Sequence, residues 1–194
     1  MVTNEARDGA CRKLFTDVGK ITAKEGITPS ALHAMKMKLV ALARKTDLFP
    51  LSDFEMPVAQ GRSHPLLVQE NDGYGLYLTI NMPGKEAAPH DHGIWCINAA
   101  VSGRERNLFY RRVDNGERKG RAVIEKIGEV IVEPESGMAM ADHDIHATEV
   151  LGKEPAVGLA FYGYALTQFP EVVWYQPQFR SVRASPSRRQ LVSA

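Results

Sequence analysis

Six histidines occur in this chain, and four of them fall in two short runs, Pro89-His90-Asp91-His92 and Asp142-His143-Asp144-Ile145-His146. On an extended strand, side chains at i and i+2 point to one face, so His90 and His92 can bring two imidazoles to one ion. Two surface histidines beside a loop would show the same spacing. The second run, a turn leading into a strand, offers further imidazoles in His143 and His146. Three neutral imidazoles on a rigid scaffold hold a transition metal and leave coordination positions open, as catalysis requires.

Alternation nominates further residues. If His90 and His92 face inward and the period of two continues, Ile94, Cys96, Asn98 and Ala100 face inward too. Cys96 then lies near the metal, although a lone cysteine more often serves as a small buried hydrophobe. Near residue 160, Leu159, Phe161 and Gly163 alternate with Ala160, Tyr162 and Tyr164. Tyr162 is either an inward proton donor or a packed aromatic.

The elements that must position these groups follow from periodicity. Cys11, Leu14, Phe15, Val18 and Ile21 make one face of a helix over residues 5–24. Thr28-Pro29 is an N-cap followed by proline at the first helical position, and Leu32, Met35, Leu39 and Leu42 carry a second helix to about Thr46. His33, Met35 and Met37 receive no chemistry on this reading. From Pro50 on, helical spacing gives way to prolines, glycines and short alternating runs. Leu76, Leu78, Ile80 and Met82 mark one strand. Others are expected near 93–101, 104–113, 117–127, 129–133, 145–151 and 156–166, with a tight hairpin at Asp114-Asn115-Gly116.

Seven or so short strands with regular turns predict a mainly β antiparallel barrel or sandwich preceded by two α-helices. The expected organisation is one structural domain: helices over 1–50, a barrel over 51–170 and an extension over 171–194. The extension carries Arg180, Arg183, Arg188 and Arg189 without an acid, as a solvated tail or a basic interaction segment.

With 24 basic and 23 acidic side chains the formal charge is +1, which provides no global field to gather nucleic acid or an anionic membrane. No window reads as a membrane span or secretion signal, and two cysteines, Cys11 and Cys96, make no disulfide framework. The cytoplasm is the expected compartment, with the chain as monomer or homodimer.

The run Pro89-His90-Asp91-His92-Gly93-Ile94-Trp95, followed by Asp142 to Thr148 and then Leu159-Ala160-Phe161-Tyr162-Gly163, resembles the thiol dioxygenases, namely cysteine dioxygenase and its bacterial 3-mercaptopropionate relatives. The resemblance covers about residues 60–165 and implies a cupin (double-stranded β-helix) barrel. It also implies Fe(II) on three histidines, a small thiol substrate and O₂, with a sulfinate as product. His90, His92 and His146 match the three ligands, and Tyr162 matches the tyrosine near the iron. His143 matches nothing and is expected beside the ligands or in solvent. Trp95 matches a tryptophan of the bacterial relatives, and the resemblance implies a place for Trp95 and Cys96 at the substrate pocket. Cys96 lies one residue nearer the histidine pair than the cysteine that crosslinks to the tyrosine in animal enzymes, so the resemblance leaves a Cys96–Tyr162 thioether open.

Two departures accompany these matches. The serine and histidine that orient the family's tyrosine fall at Gly158 and Ala160. The arginine or glutamine that holds the substrate carboxylate is expected near 64–67, where the chain reads His64-Pro65-Leu66-Leu67. Both departures point away from cysteine or 3-mercaptopropionate as the substrate. They leave as alternatives a cupin dioxygenase or isomerase of a non-thiol, carrying Fe(II) or another divalent metal such as Zn or Ni, and a non-catalytic ligand-binding cupin.

Overall fold

The computed structural model describes residues 4–69, 73–117, 121–165, 172–176 and 181–185. Helix α1 (Asn4–Glu25) buries Cys11, Leu14, Phe15 and Val18, the stripe that its periodicity predicts. Thr28 caps α2 (Pro29–Ala43): its Oγ1 accepts the Ala31 N–H at 3.1 Å, satisfying a donor that a helix N-terminus otherwise leaves open. Helix α2 stops at Ala43, short of Thr46, where a separate 3-10 turn begins.

The barrel is made of two antiparallel sheets. The first holds β1 (Arg62–Ser63), β2 (Leu66–Gln69), β3 (Gly75–Asn81), β5 (Cys96–Ser102), β8 (Gly137–Met140) and β10 (Ala156–Tyr162), in the order β1-β3-β10-β5-β8 with β2 also on β3. The second holds β4 (Glu86–Asp91), β6 (Arg104–Arg112), β7 (Ile124–Val132), β9 (Ile145–Leu151), β11 (Val172–Gln176) and β12 (Ser181–Ser185), in the order β12-β11-β4-β9-β6-β7. From β3 to β10 the chain passes back and forth between the sheets, and β10 returns to lie between β3 and β5. This winding is the double-stranded β-helix of cupins, here with two helices ahead of it.

Sequence and structure differ in several places. Strand β8 is absent from the sequence expectation, since Gly137-Met138-Ala139-Met140 has little intrinsic β preference. The expected strands 117–127 and 129–133 form one strand, β7. Phe109 pairs with Gly128 and Tyr110 with Lys126, so Ile127 bulges and the ladder continues. The tight hairpin at Asp114-Asn115-Gly116 is replaced by a wider loop, in which the Asp114 carboxylate accepts the N–H groups of Gly116 and Val123 at 3.2 and 2.7 Å. In the supposed extension, β11 and β12 pair with each other and β11 pairs with β4. Arg180, Arg188 and Arg189 lie outside the described residues. Among the described residues, no helix is long and apolar enough to cross a membrane.

Alternation divides the first sheet. Leu76, Leu78, Ile80, Ile97, Leu159 and Phe161 face the helices and, with the α1 and α2 stripes, form the larger apolar core. Tyr77, Cys96, Ala100, Ala160 and Tyr162 face the barrel interior. Ile94 joins the helix-side core, contrary to the parity expectation. Gly93, with φ of 62°, turns the chain between β4 and β5 and breaks the count of alternation there.

Candidate metal centre

Register brings the three histidines together. His90 on β4 is the direct cross-strand partner of His146 on β9. Between Ala87 opposite Thr148 and His90 opposite His146, β4 carries one residue more than β9, a bulge that contains Pro89. Proline has no N–H to give to a ladder, so it is tolerated there, and the bulge re-aims the next side chain. His92 follows two residues on, with Asp91 Oδ1 accepting the Gly93 N–H at 3.1 Å to close the turn.

The ring geometry is that of a ligand set. Nε2 of His90 and of His92 are 3.0 Å apart, and Nε2 of His146 and of His92 are 3.4 Å apart. Two nitrogens about 2.1 Å from one ion, at angles between octahedral and tetrahedral, would be separated by about 3.0 to 3.4 Å. All three rings are buried, and these three histidines form the metal-compatible group found among the described residues. No carboxylate belongs to it.

Each ligand ring is held through its other nitrogen. His90 Nδ1 lies 2.8 Å from the Ala88 carbonyl, which only accepts, so His90 carries its proton on Nδ1 and a lone pair on Nε2. His146 Nδ1 lies 3.0 Å from Asn107 Oδ1, and His92 Nδ1 lies 3.5 Å from Cys96 Sγ. Burial holds His90 down at about 4, with the Arg62 charge adding to the depression. His92 and His146 are pushed well below the ordinary histidine range, first by burial and then by the neighbouring imidazoles. Neutral imidazoles with Nε2 lone pairs directed at a shared point repel one another unless a cation sits among them, so the residues present fit a divalent metal.

Beside the triad lies a cavity of about 70 Å³ lined by, among others, Arg62, His64, Asn81, Asn98, Glu105 and Tyr162. Arg62, two residues before the run His64-Pro65-Leu66-Leu67, brings a guanidinium-bearing side chain to the lining. It stands directly opposite Asn81 on β3, and its buried Nε has no hydrogen-bond partner among the described residues. His64 is held at about 4 by burial and by the Arg62 charge.

Tyr162 is buried and lines the cavity, its ring edge-on to His92 at 5.6 Å between centroids. Burial, together with the Cys96 thiol, pushes its phenol far above the ordinary range. Cys96 pairs with Tyr162 across the ladder and is in no disulfide, with Sγ 3.5 Å from His92 Nδ1. Trp95 is not in the cavity; it stacks on Phe161 in the helix-side core and lies so close to Gly163 that a Cβ there would come within 2.4 Å of its Nε1. His143 is exposed in the turn before β9.

Besides Arg62, four contributors are absent from the expectations. Trp174 of β11 stacks on His90 with centroids 4.4 Å apart, and Tyr175 donates its O–H to Asp91 Oδ2 at 2.8 Å. Glu105 and Asn107 share the inward face of β6. Their alternation with Arg104 and Arg106 is visible in the sequence, but polar residues at every position hide which face is inward.

No protein-family model and no curated protein matches the sequence. Among solved structures, the chain is similar to a protein with a double-stranded β-helix domain from Klebsiella pneumoniae, at 15% identity and a TM-score of 0.44 over 63% of this chain and 88% of that one. It is similar to a cupin-superfamily protein from Desulfitobacterium hafniense, at 17% identity and 0.43 over 60% and 90%. It is also similar to an oxalate oxidase in complex with the substrate analogue glycolate, at 15% identity and 0.46 over 62% and 58%. Likenesses this distant carry no information about activity.

Proposed function

We propose that this cupin is an Fe(II)-dependent dioxygenase that adds both atoms of O₂ to the sulfur of a small thiol carboxylate, giving a sulfinate. The observation that carries the reading is one cavity shared by three neutral imidazoles and the Arg62 guanidinium, which makes no salt bridge among the described residues and whose charge acts on the Glu105 carboxyl of the same lining. A divalent ion held by neutral ligands keeps its whole charge and so favours an anionic thiolate, whereas a glutamate ligand would offset part of it. When bound, Fe(II) supplies that charge and the electrons that activate O₂. The thiolate sulfur is oxidised and both oxygen atoms end on it, so no outside reductant is required.

The chain's own residues do the rest. Arg62 binds the carboxylate end, a charge-assisted contact that fixes the sulfur's distance from the triad. Its presence removes the argument, drawn from residues 64–67, against a carboxylate substrate. Tyr162 keeps its proton and donates its O–H toward oxygen or sulfur as charge develops there.

The test is anaerobic loading with Fe(II), then oxygen uptake against a panel of thiols with and without a carboxylate. Thiol-dependent uptake with sulfinate formation is expected, with Arg62→Met raising KM for the carboxylate thiols by about ten- to a hundredfold and leaving iron content intact. No uptake with any thiol by iron-replete protein rejects the proposal. Ligand binding without turnover is the second reading, favoured by Gly158 and Ala160, which place no polar side chain on β10 beside Tyr162.

A further inference from the structure

The structure assigns Glu105 and Asn107 as positioning residues that dictate which nitrogen of His146 faces the metal point. The inference rests on the metal site described above but not on the identity of the reaction. Asn107 is fully buried, and its amide sits between two groups: Oδ1 is 3.0 Å from His146 Nδ1, and Nδ2 is 3.3 Å from Glu105 Oε1. The other oxygen of Glu105 accepts from Asn81 Nδ2 at 2.8 Å, across from the opposite sheet.

A carboxylate only accepts, so it draws the NH₂ end of the Asn107 amide toward itself. The carbonyl end must then face His146, and a carbonyl also only accepts. His146 is left with a single way to satisfy it, the tautomer with its proton on Nδ1. Its Nε2 is thereby bare and directed at the point shared with His90 and His92. The sense of the amide, which for an isolated asparagine is free to turn over, is set here from outside by Glu105. Outer partners of this kind orient ligands and commonly contribute ten- to a hundredfold in metal affinity. What distinguishes this one is its length. His90 is fixed directly by a backbone carbonyl, whereas His146 is fixed through an amide whose polarity is held by a carboxylate on the same strand, itself tied by Asn81 to the other sheet.

The wild-type, metal-free protein, labelled with ¹⁵N, supplies the first measurement. Long-range ¹H–¹⁵N correlations are expected to show His146 protonated on Nδ1; protonation on Nε2 would overturn the assignment. The second measurement is the dissociation constant for Co(II), with its visible absorption as the signature of the ligand geometry. Glu105→Leu, which touches no ligand, is expected to weaken Co(II) by about tenfold, to change the absorption band and to give His146 a mixture of tautomers. Unchanged affinity, spectrum and tautomer in that variant would overturn the assignment.

The double variant Glu105→Gln with Asn107→Asp exchanges the two groups. The carboxylate introduced at position 107 can accept from His146 Nδ1 and from the amide NH₂ introduced at position 105 together. Co(II) affinity is therefore expected within a fewfold of wild type, with His146 still protonated on Nδ1. A loss of tenfold or more there would also overturn it. If Glu105→Leu does not fold, the wild-type tautomer and the double variant decide. Co(II) binding needs no thiol oxidation, so failure of the dioxygenase reading would leave these results standing. Failure of wild-type protein to bind Co(II) would instead remove the metal reading.

Discussion

One sheet presents two unlike faces. Toward the helices, Leu78, Ile97, Leu159 and Phe161 meet α1 and α2 in an apolar core. Toward the barrel interior the neighbouring positions are Thr79, Asn98, Gly158 and Tyr162, which line the cavity beside His90, His92 and His146. Successive residues on the same strands therefore belong to different physical regimes. The helix-side face gains free energy from apolar burial. The interior face gives some up, because it buries three imidazoles and the Asn107 amide away from water. Two helices on the far face let the barrel dedicate its inner surface to a site.

The comparison predicts that the two faces can be damaged separately. The largest effect is on the interior. His146→Ala removes one of three ligands and is expected to abolish stoichiometric binding of Co(II) or Fe(II), more than about a hundredfold in affinity, while the apo protein still folds, its melting temperature lowered by the buried acceptor left on Asn107. Metal analysis beside a thermal melt checks it, and a variant that still binds one equivalent tightly would show that the triad is not the ligand set.

The converse is Phe161→Ala on the same sheet's other face. Phe161 is fully buried and packs on Phe15 of α1, with centroids 4.9 Å apart, and on Trp95. Truncation is expected to cost about 3 to 5 kcal/mol in urea unfolding. The molecules that remain folded should bind metal as wild type does. A loss of metal affinity comparable to the loss of stability would contradict the separation of the faces.

The helix-side face is the more legible in sequence. Apolar residues at helical spacing, the Thr28-Pro29 start and the alternation at Leu76 to Met82 are local signals, and burial enforces them. His90 and His92 are legible because i, i+2 on a strand is local as well. Arg62 is not, since β1 is two residues long and its place over the cavity depends on pairing with Asn81 in a different element. The bulge at Pro89 and the turn at Gly93 are likewise properties of pairing; parity counted through Gly93 misplaces Ile94, and the motif match puts Trp95 at the pocket rather than under the helices.

Acid should also distinguish the faces. His64 and His90 are neutral in the folded protein until about pH 4, whereas in the unfolded chain they titrate near the ordinary 6.5. Between those limits the unfolded state binds more protons, so the apo protein is expected to lose stability as pH falls from about 6.5 toward 4 and to be insensitive above that range. His90 alone accounts for roughly 3 kcal/mol at the acid end. Asp91 and Glu105, whose carboxyls burial pushes up, act in the opposite sense and reduce the slope. Urea midpoints from pH 7 to 4.5 measure it. A flat profile would mean that these imidazoles are hydrated rather than buried; replacing His64 and His90 by Asn should reduce the slope and leave the part due to His92 and His146.

The smallest effect tests how far apart the faces are. Thr28→Ala removes a single hydrogen bond, from the Ala31 N–H to its Oγ1, at the start of a helix that packs on β5, β8 and β10. The expected loss is about 1 kcal/mol, seen as a melting temperature lower by a few degrees. Helix α2 touches the sheet only on its outer side, and a backbone as tightly hydrogen-bonded as β5 and β10 transmits little of a change confined to a helix terminus. Co(II) affinity and spectrum should therefore match wild type. If capping this helix altered the metal spectrum, the sheet would be coupling its two faces, and the helices would be tuning the ligand geometry as well as burying apolar surface.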